Sequence, residues 1–262
     1  MMRAMWSAAA GMSVQQHNLD TISNNLANVN TTGFKRARAE FQDLLYQTVN
    51  LAGTNSSTNT TLPAGIQLGH GARLQSIVRQ YSTGNFRPTQ GRFDMAIEGD
   101  GFFRVTMPDG TQAYSRDGAF TLDQNGNLVN ASGYALDPQI TVPQDAQSVT
   151  IAPDGTVSVT QPGQNQPQQV GQITLVKFIN PAGLNMLGRN LVAPTLASGE
   201  PIEGTPGLDG LGTVQQGFLE ISNVDVAEEM VNMIIGERAY EANSKTIRTV
   251  DDMLSLVANL KR

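Results

Sequence analysis

The first thirty residues repeat an apolar pattern in alternating steps of three and four. Met5, Met12, Leu19 and Leu26 hold one register, and Ala8, Gln15, Ile22 and Val29 the other. A helix with such a heptad seam asks for a partner helix. The pattern predicts one helix from Met2 to Asn30, about 45 Å long. It stops at Asn30-Thr31-Thr32-Gly33, where Gly33 is a natural left-handed cap. Between Met1 and Thr32 only Arg3 and Asp20 are ionised, and Asn18, Asn24, Asn25 and Asn28 lie among the polar residues off the seam. A solvated helix carries charged i, i+4 pairs on its outer face, and this one has none. Two readings satisfy that: a buried hairpin helix inside a monomer, or, as we favour, a helix touched on several sides by neighbouring subunits.

The stretch from Asp225 to Leu260 is the candidate partner. Asp225 and Glu228 have capping-box spacing, Glu229 suits the positive end of a helix, and Lys261 and Arg262 suit the negative end. Val226, Met230, Met233 and Ile234 line one flank, with Ile247, Val250, Met253, Leu254, Val257 and Leu260 further on. One hairpin partner does not cover them all, and apolar patches this wide mark interfaces. The expected assembly surface is Met5, Met12, Leu19, Ile22, Leu26, Val29, Val226, Met230, Met233, Ile247 and Leu254.

Between the ends the period changes to two. Gln75–Tyr81, Phe93–Ile97, Phe102–Thr106 and Gln172–Val176 read as strands. Asp109-Gly110, Asp117-Gly118, Asn125-Gly126, Ser132-Gly133 and Asp154-Gly155 punctuate them as turns, as in an antiparallel barrel or sandwich. Lys35–Leu51 is compatible with a second helix or a strand. Ala52–Thr61 is low-complexity and polar, a loop or extended arm. Gln161–Gln169 is a Pro/Gln-rich loop, and Ser198–Gly212 connects back toward the helical end. The expected class is α+β, with discontinuous terminal helices forming an inner coiled-coil layer and an all-β antiparallel domain inserted between them. Residues 1–33 and 222–262 form the helical domain, 34–92 and 203–221 a connecting region with an arm over 46–65, and 93–202 the β domain.

Of the 262 residues 15% are charged, against roughly 25% in an average soluble protein. The neutral polar residues that replace them cost less to bury between subunits than ions do, and the same composition suits a disordered linker, so composition alone does not choose between the two. The net charge of −6 argues against a nucleic-acid partner, since no basic excess exists to neutralise phosphates. Cysteine is absent, which excludes disulfides and thiolate-bound metals. No run approaches the ~18 apolar residues of a membrane helix. Met5-Trp6-Ser7-Ala8-Ala9-Ala10 after Arg3 makes a poor signal peptide, because the heptad runs through the supposed cleavage site.

Catalytic signatures are missing. His17, beside the seam, reads as a packed or exposed helix residue, and His70, between two glycines, as part of a turn. No Cys/His nucleophile or zinc set can be drawn from them, and there is no Gly-x-Ser-x-Gly elbow. Gly99-Asp100-Gly101 lacks the third glycine and the helix of a dinucleotide fingerprint, so it reads as a turn. Asp123-Gln124-Asn125-Gly126-Asn127 imitates a calcium loop, but its glycine comes early and Tyr134 stands where the bidentate Glu belongs. Glu228-Glu229 and Asp251-Asp252 are adjacent pairs that point to different sides of a helix. No catalytic, cofactor or metal residue is expected.

Three long motifs, in order, carry a resemblance. Ser23–Lys35 (SNNLANVNTTGFK) resembles the signature of the flagellar rod and hook proteins. The run Ala96–Tyr134, with AIEGDGFFRV, YSRDGAF and GNLVNASGY, is similar to that family's body. Gly217–Asp225 (GFLEISNVD) and Glu237–Asn243 (ERAYEAN) resemble its C-terminal helix. Within the family, the length and the arm from Tyr46 to Gly65 are most similar to the distal rod. The resemblance implies a structural subunit of a stiff, hollow helical homopolymer that transmits motor torque. It implies nested layers, export without a cleaved signal through the flagellar type III apparatus, and a place in the basal body across the periplasm. Its implied partners are proximal rod, hook or hook-junction proteins and the surrounding rings. The alternatives are a hook or proximal rod subunit, or an extracytoplasmic wall-binding β module. The residues Thr54, Asn55, Ser56, Ser57 and Thr58 are expected to lock neighbouring subunits as a stiffness arm.

Overall fold

In the computed structural model the chain is described over residues 2–53, 55–57, 60–61, 63–163 and 166–259. Helix α1 (Met2–Ala27) and helix α2 (Val226–Asn259) enclose a long β-rich passage, an α+β chain as expected. The chain divides into two compact units. One comprises Met1–Leu26, Ala37–Val78 and Asp225–Arg262, and the other Ala27–Arg36 and Arg79–Val224.

In the helical unit, α1 stops at Ala27, a turn short of the sequence expectation. Turns carry the chain from Asn28, and the Thr31 N–H bonds the Asn28 carbonyl at 3.1 Å. Gly33 takes the left-handed conformation foreseen for it, φ +67°, but as part of these turns and not as a direct cap. At the other end Asp225 caps α2: its Oδ1 accepts from the N–H groups of Ala227 at 2.8 Å and Glu228 at 3.2 Å. The segment left open between helix and strand is strand. Ala37–Asp43 pairs with Ala72–Arg79, and Tyr46–Asn50 with Ile66–Gly69 in a two-stranded ribbon. Asn55–Ser57 pairs with Thr60–Thr61. Thr54 and Thr58 of the expected arm, and Leu260, Lys261 and Arg262 of the last helix, lie outside the described residues.

In the β unit a nine-stranded antiparallel sheet is centred on Phe102–Thr106. That strand pairs with Gln112–Ser115 on one side, and with Ala135–Asp137 and Leu175–Lys177 on the other. Alternation sends Phe103 and Val105 into the main core with Met95, Ile97, Phe120, Leu136 and Leu175. Phe102 points to a smaller core with Tyr114, Val176 and Phe178, where the rings meet edge-on. A second sheet joins Ser148–Ile151, Thr156–Thr160 and Gln168–Gln172, so the Pro/Gln-rich stretch ends in a strand. Two pairings connect distant segments: Met95–Glu98 with Thr213–Gln216, and Phe86–Pro88 with Phe218–Glu220.

Candidate assembly surfaces and a buried charge cluster

The three family-like motifs each place one ion in the same buried spot. Glu220, Lys35 and Arg116 are 2%, 3% and 6% exposed. Lys35 Nζ donates to Glu220 Oε1 at 2.6 Å and to the Ser82 carbonyl at 2.7 Å. The Gly84 N–H donates to the same Oε1 at 2.8 Å. Arg116 Nε donates to Glu220 Oε2 at 2.6 Å, and its remaining nitrogens bond the carbonyls of Ile97, Gly99 and Gly101. The Gly99-Asp100-Gly101 turn is thus a carbonyl socket for Arg116. Burial by itself would raise the Glu220 carboxyl, but Arg116 and Lys35 outweigh it and hold the group below its ordinary range. Burial pulls the Lys35 ammonium below its ordinary range, a shift that Glu220 only partly reverses.

Backbone contacts reinforce this junction. The Gly33 N–H bonds the Glu220 carbonyl at 2.9 Å. A Cβ at Gly33 would sit 2.7 Å from the Arg116 and Asp117 backbone, so only glycine fits. Asn223 Oδ1 accepts from the Arg36 N–H at 2.7 Å, while Asn223 Nδ2 bonds the Gln80 carbonyl at 2.9 Å. The passage leaving α1 and the passage returning to α2 are therefore tied together inside the β unit. Both carboxylate oxygens of Glu220 are occupied by donors, which suits a clamp and not a proton carrier. Among the described residues no group of His, Cys, Asp or Glu is arranged to hold a metal ion.

The helices run antiparallel within one chain. A Cβ on Gly236 would lie 3.0 Å from Leu19 Cδ2, and one on Gly11 would lie 2.8 Å from Asn243 Nδ2. Met5 and Ile247 meet around an apolar cavity of about 250 Å³ with Met2, Trp6 and Ala9. Near the other end Asn25 Nδ2 donates to Glu229 Oε2 at 3.3 Å and to the Ala37 carbonyl at 2.8 Å, and Asn25 Oδ1 accepts from the Ala37 N–H at 2.9 Å. One asparagine thereby fixes α1 against both α2 and the strand Ala37–Asp43.

The seam residues divide by environment. Ile22 is buried, while Met5, Met12, Leu19, Leu26, Val29, Met233, Ile247 and Leu254 are half-buried. Val226 and Met230 are exposed. Beside them stand Val231, Ile234, Ile235, Met253, Leu256 and Val257, all exposed. Met230 and Ile234 stood on the flank expected from the sequence, but Val231 and Ile235 were not foreseen, and only the structure separates this exposed face from the seam. Sequence reasoning also missed Val14, Thr21 and Asn25, which α1 buries beside the heptad. Nothing in one sequence pairs Lys35 or Arg116 with Glu220, although all three stand inside the quoted motifs.

The ribbon is the other unpartnered element. All residues of Tyr46–Asn50 and Ile66–Gly69 are exposed, with Tyr46, Val49, Ile66 and Leu68 among them. A two-stranded ribbon is marginal in water without a surface to pack on. His70 stands at its foot, Nδ1 2.9 Å from the Leu45 carbonyl. Asn55, Ser56 and Ser57 are in the short strand beyond it.

Comparisons with known proteins agree with the motifs. Residues 5–35 match the flagella basal body rod protein family, 96–159 the flagellar hook protein FlgE/F/G D1 domain, and 215–260 the flagellar basal body rod FlgEFG protein C-terminal family. The flagellar basal-body rod protein FlgG of Borreliella burgdorferi is 52% identical over 264 residues, covering 100% of both chains. That of Buchnera aphidicola subsp. Schizaphis graminum is 54% identical over 260 residues, 99% of this chain and 100% of its own. The flagellar hook protein FlgE of Helicobacter mustelae is 42% identical, but over 52% of this chain and 30% of its own. The chain belongs to the flagellar basal-body rod proteins, in the FlgG family, and is a structural subunit of the distal rod.

Proposed function

We propose that this chain polymerises head-to-tail into a stiff, hollow helical shaft that carries motor torque to the hook. The observation that carries the reading is the outer face of α2. Its seam with α1 is made by Gly236, Asn243, Glu229 and Ile247, while Met230, Val231, Ile234 and Ile235 are left facing solvent. A monomer gains nothing from that arrangement, whereas a tube of many helix pairs buries the outer face at roughly 25 cal/mol per Å². Heterologous, non-closing contacts of this kind generate filaments.

In this reading residues 1–33 and 222–262 line the tube, 34–92 and 203–221 connect, and 93–202 face outward. Proximal rod proteins lie below, hook or hook-junction proteins above, and the basal-body rings around the shaft as it crosses the periplasm. The subunit arrives through the type III export apparatus and has no catalytic role. The side chains Met5, Met12, Leu19, Ile22, Leu26, Val29, Val226, Met230, Met233, Ile247 and Leu254 serve assembly, and Thr54–Thr58 with their ribbon lock neighbours. Polymerisation of purified full chain, viewed by electron microscopy, is the test. Wild type should give straight tubes, and deletion of Ala52–Thr61 should give bent or flexible ones. Failure of the wild-type chain to form tubes would sink the polymer reading, and straight tubes from the deletion would sink the role of the arm.

A further inference from the structure

One cavity of the β unit holds more positive charge than its own carboxylate answers. It measures about 50 Å³, and its wall includes Lys35, Arg79, Tyr81, Phe102, Arg116 and Asn190. Glu220 engages Lys35 and Arg116, whereas Arg79 makes no ion pair among the described residues. The half-buried Arg79 guanidinium donates from Nη1 to the Lys35 carbonyl at 2.9 Å and lies over the Phe34 ring, 5.0 Å from its centroid. Burial pulls this group below its ordinary range, and no carboxylate offsets the loss of water. Three cations thus face one carboxylate, in a chain whose net charge is −6. Asp117 reaches the wall through Asn190, its Oδ2 accepting from Asn190 Nδ2 at 3.0 Å, and counting it still leaves a positive surplus.

Tyr81 adds an unused donor to the same wall. Its hydroxyl is shut off from water and has no hydrogen-bond partner among the described residues. Burial pushes this phenol up to about 12, so it keeps its proton at neutral pH. The ring is held edge-on against Phe102, with centroids 5.5 Å apart. A half-buried cation and a buried donor both cost free energy while unanswered, and folded proteins pair such groups with protein, water or an ion. The size of the space narrows the choice. It exceeds the ~10–15 Å³ that one water needs, and falls far below the roughly 300 Å³ of a pocket for an organic ligand.

We propose that this cavity binds one small monovalent inorganic anion, of the size and charge of chloride, with Arg79 as its counter-charge and the Tyr81 hydroxyl as a second donor. Water would satisfy the hydroxyl and leave the charge. A doubly charged oxyanion would exceed the surplus once Asp117 is counted. The anion would offset the repulsion of Arg79 by Lys35 and Arg116, and so tighten the junction that Glu220 clamps. Neither polymerisation nor a second copy of the chain is needed for it.

The test follows the dilute full-length chain at fixed ionic strength while sodium chloride replaces sodium gluconate, whose anion is too large for the cavity. The urea midpoint of the β unit should rise and then saturate, as linkage to a single site requires. The chloride NMR line should broaden beyond its width in buffer. Arg79→Gln should weaken chloride binding about tenfold or more, the loss expected of one charged contact, and Tyr81→Phe should weaken it less. Arg79→Lys should restore much of the affinity. A midpoint that is the same in chloride and gluconate, or chloride broadening that survives Arg79→Gln undiminished, overturns the site. A rise that never saturates and is matched by sodium sulfate at equal ionic strength is general salt stabilisation, and overturns it too. Where Arg79→Gln does not fold, the wild-type series of the three salts decides by itself.

Discussion

Glu220 accepts hydrogen bonds from two cations and a backbone amide while almost fully out of water. Removing one partner of such a cluster strands the others, a cost of about 3–5 kcal/mol. Glu220→Gln should therefore lower the urea midpoint of the β unit substantially, while Asp109→Asn, at an exposed turn, should leave it nearly unchanged. The pH dependence follows the sign of the shift. The folded carboxyl titrates below its ordinary value of 4.5, so its stabilisation is complete above that value and disappears as pH falls through the lowered one. Denaturation series between pH 3 and 7 should show an acid-side loss in the wild type that shrinks in Glu220→Gln. Asn25 is the matching residue in the helical unit. Asn25→Ala deletes its bonds to both backbone groups of Ala37, about 1–3 kcal/mol where these stay buried. Amide exchange across Ala37–Asp43 should accelerate more than tenfold.

Helix α2 presents different chemistry on its two faces. Toward α1 it offers Gly236 and Asn243, close enough that an added Cβ at Gly236 meets Leu19. Gly236→Val should push the helices apart at a cost of about 1–3 kcal/mol, read as faster amide exchange in α1 at unchanged β-unit stability. Toward solvent it offers Val231, Ile234 and Ile235. Ile234→Asp leaves the pair intact and should abolish polymerisation, because a charge would then have to be buried without a partner. Polymerisation unaffected by Ile234→Asp would mean that this face meets no neighbour.

The whole molecule has one tryptophan, Trp6, 72% exposed on α1. If the helices close into a tube, its emission should shift to the blue on assembly and its quenching by acrylamide should fall. An emission maximum that does not move during polymerisation would place Trp6 outside the contacts. This readout needs no labelling and follows the same transition that microscopy records.

The helical ends, the strand and turn centre and the α+β class were legible in the sequence because each depends on local period and local turn chemistry. Asp225 as a cap and Gly33 as a left-handed residue are local for the same reason. The motifs carried the family, since three long runs in order hold more information than any single spacing. Three things belonged to the tertiary structure. It paired α1 with α2 inside one chain, which a heptad cannot do because a seam specifies that a partner exists and not whose it is. It brought Lys35, Arg116 and Glu220 together across a separation of 185 residues, where no periodicity reaches. It also divided the apolar residues of α2 between a seam and an exposed face, because burial is a property of what stands opposite a side chain and not of the side chain itself.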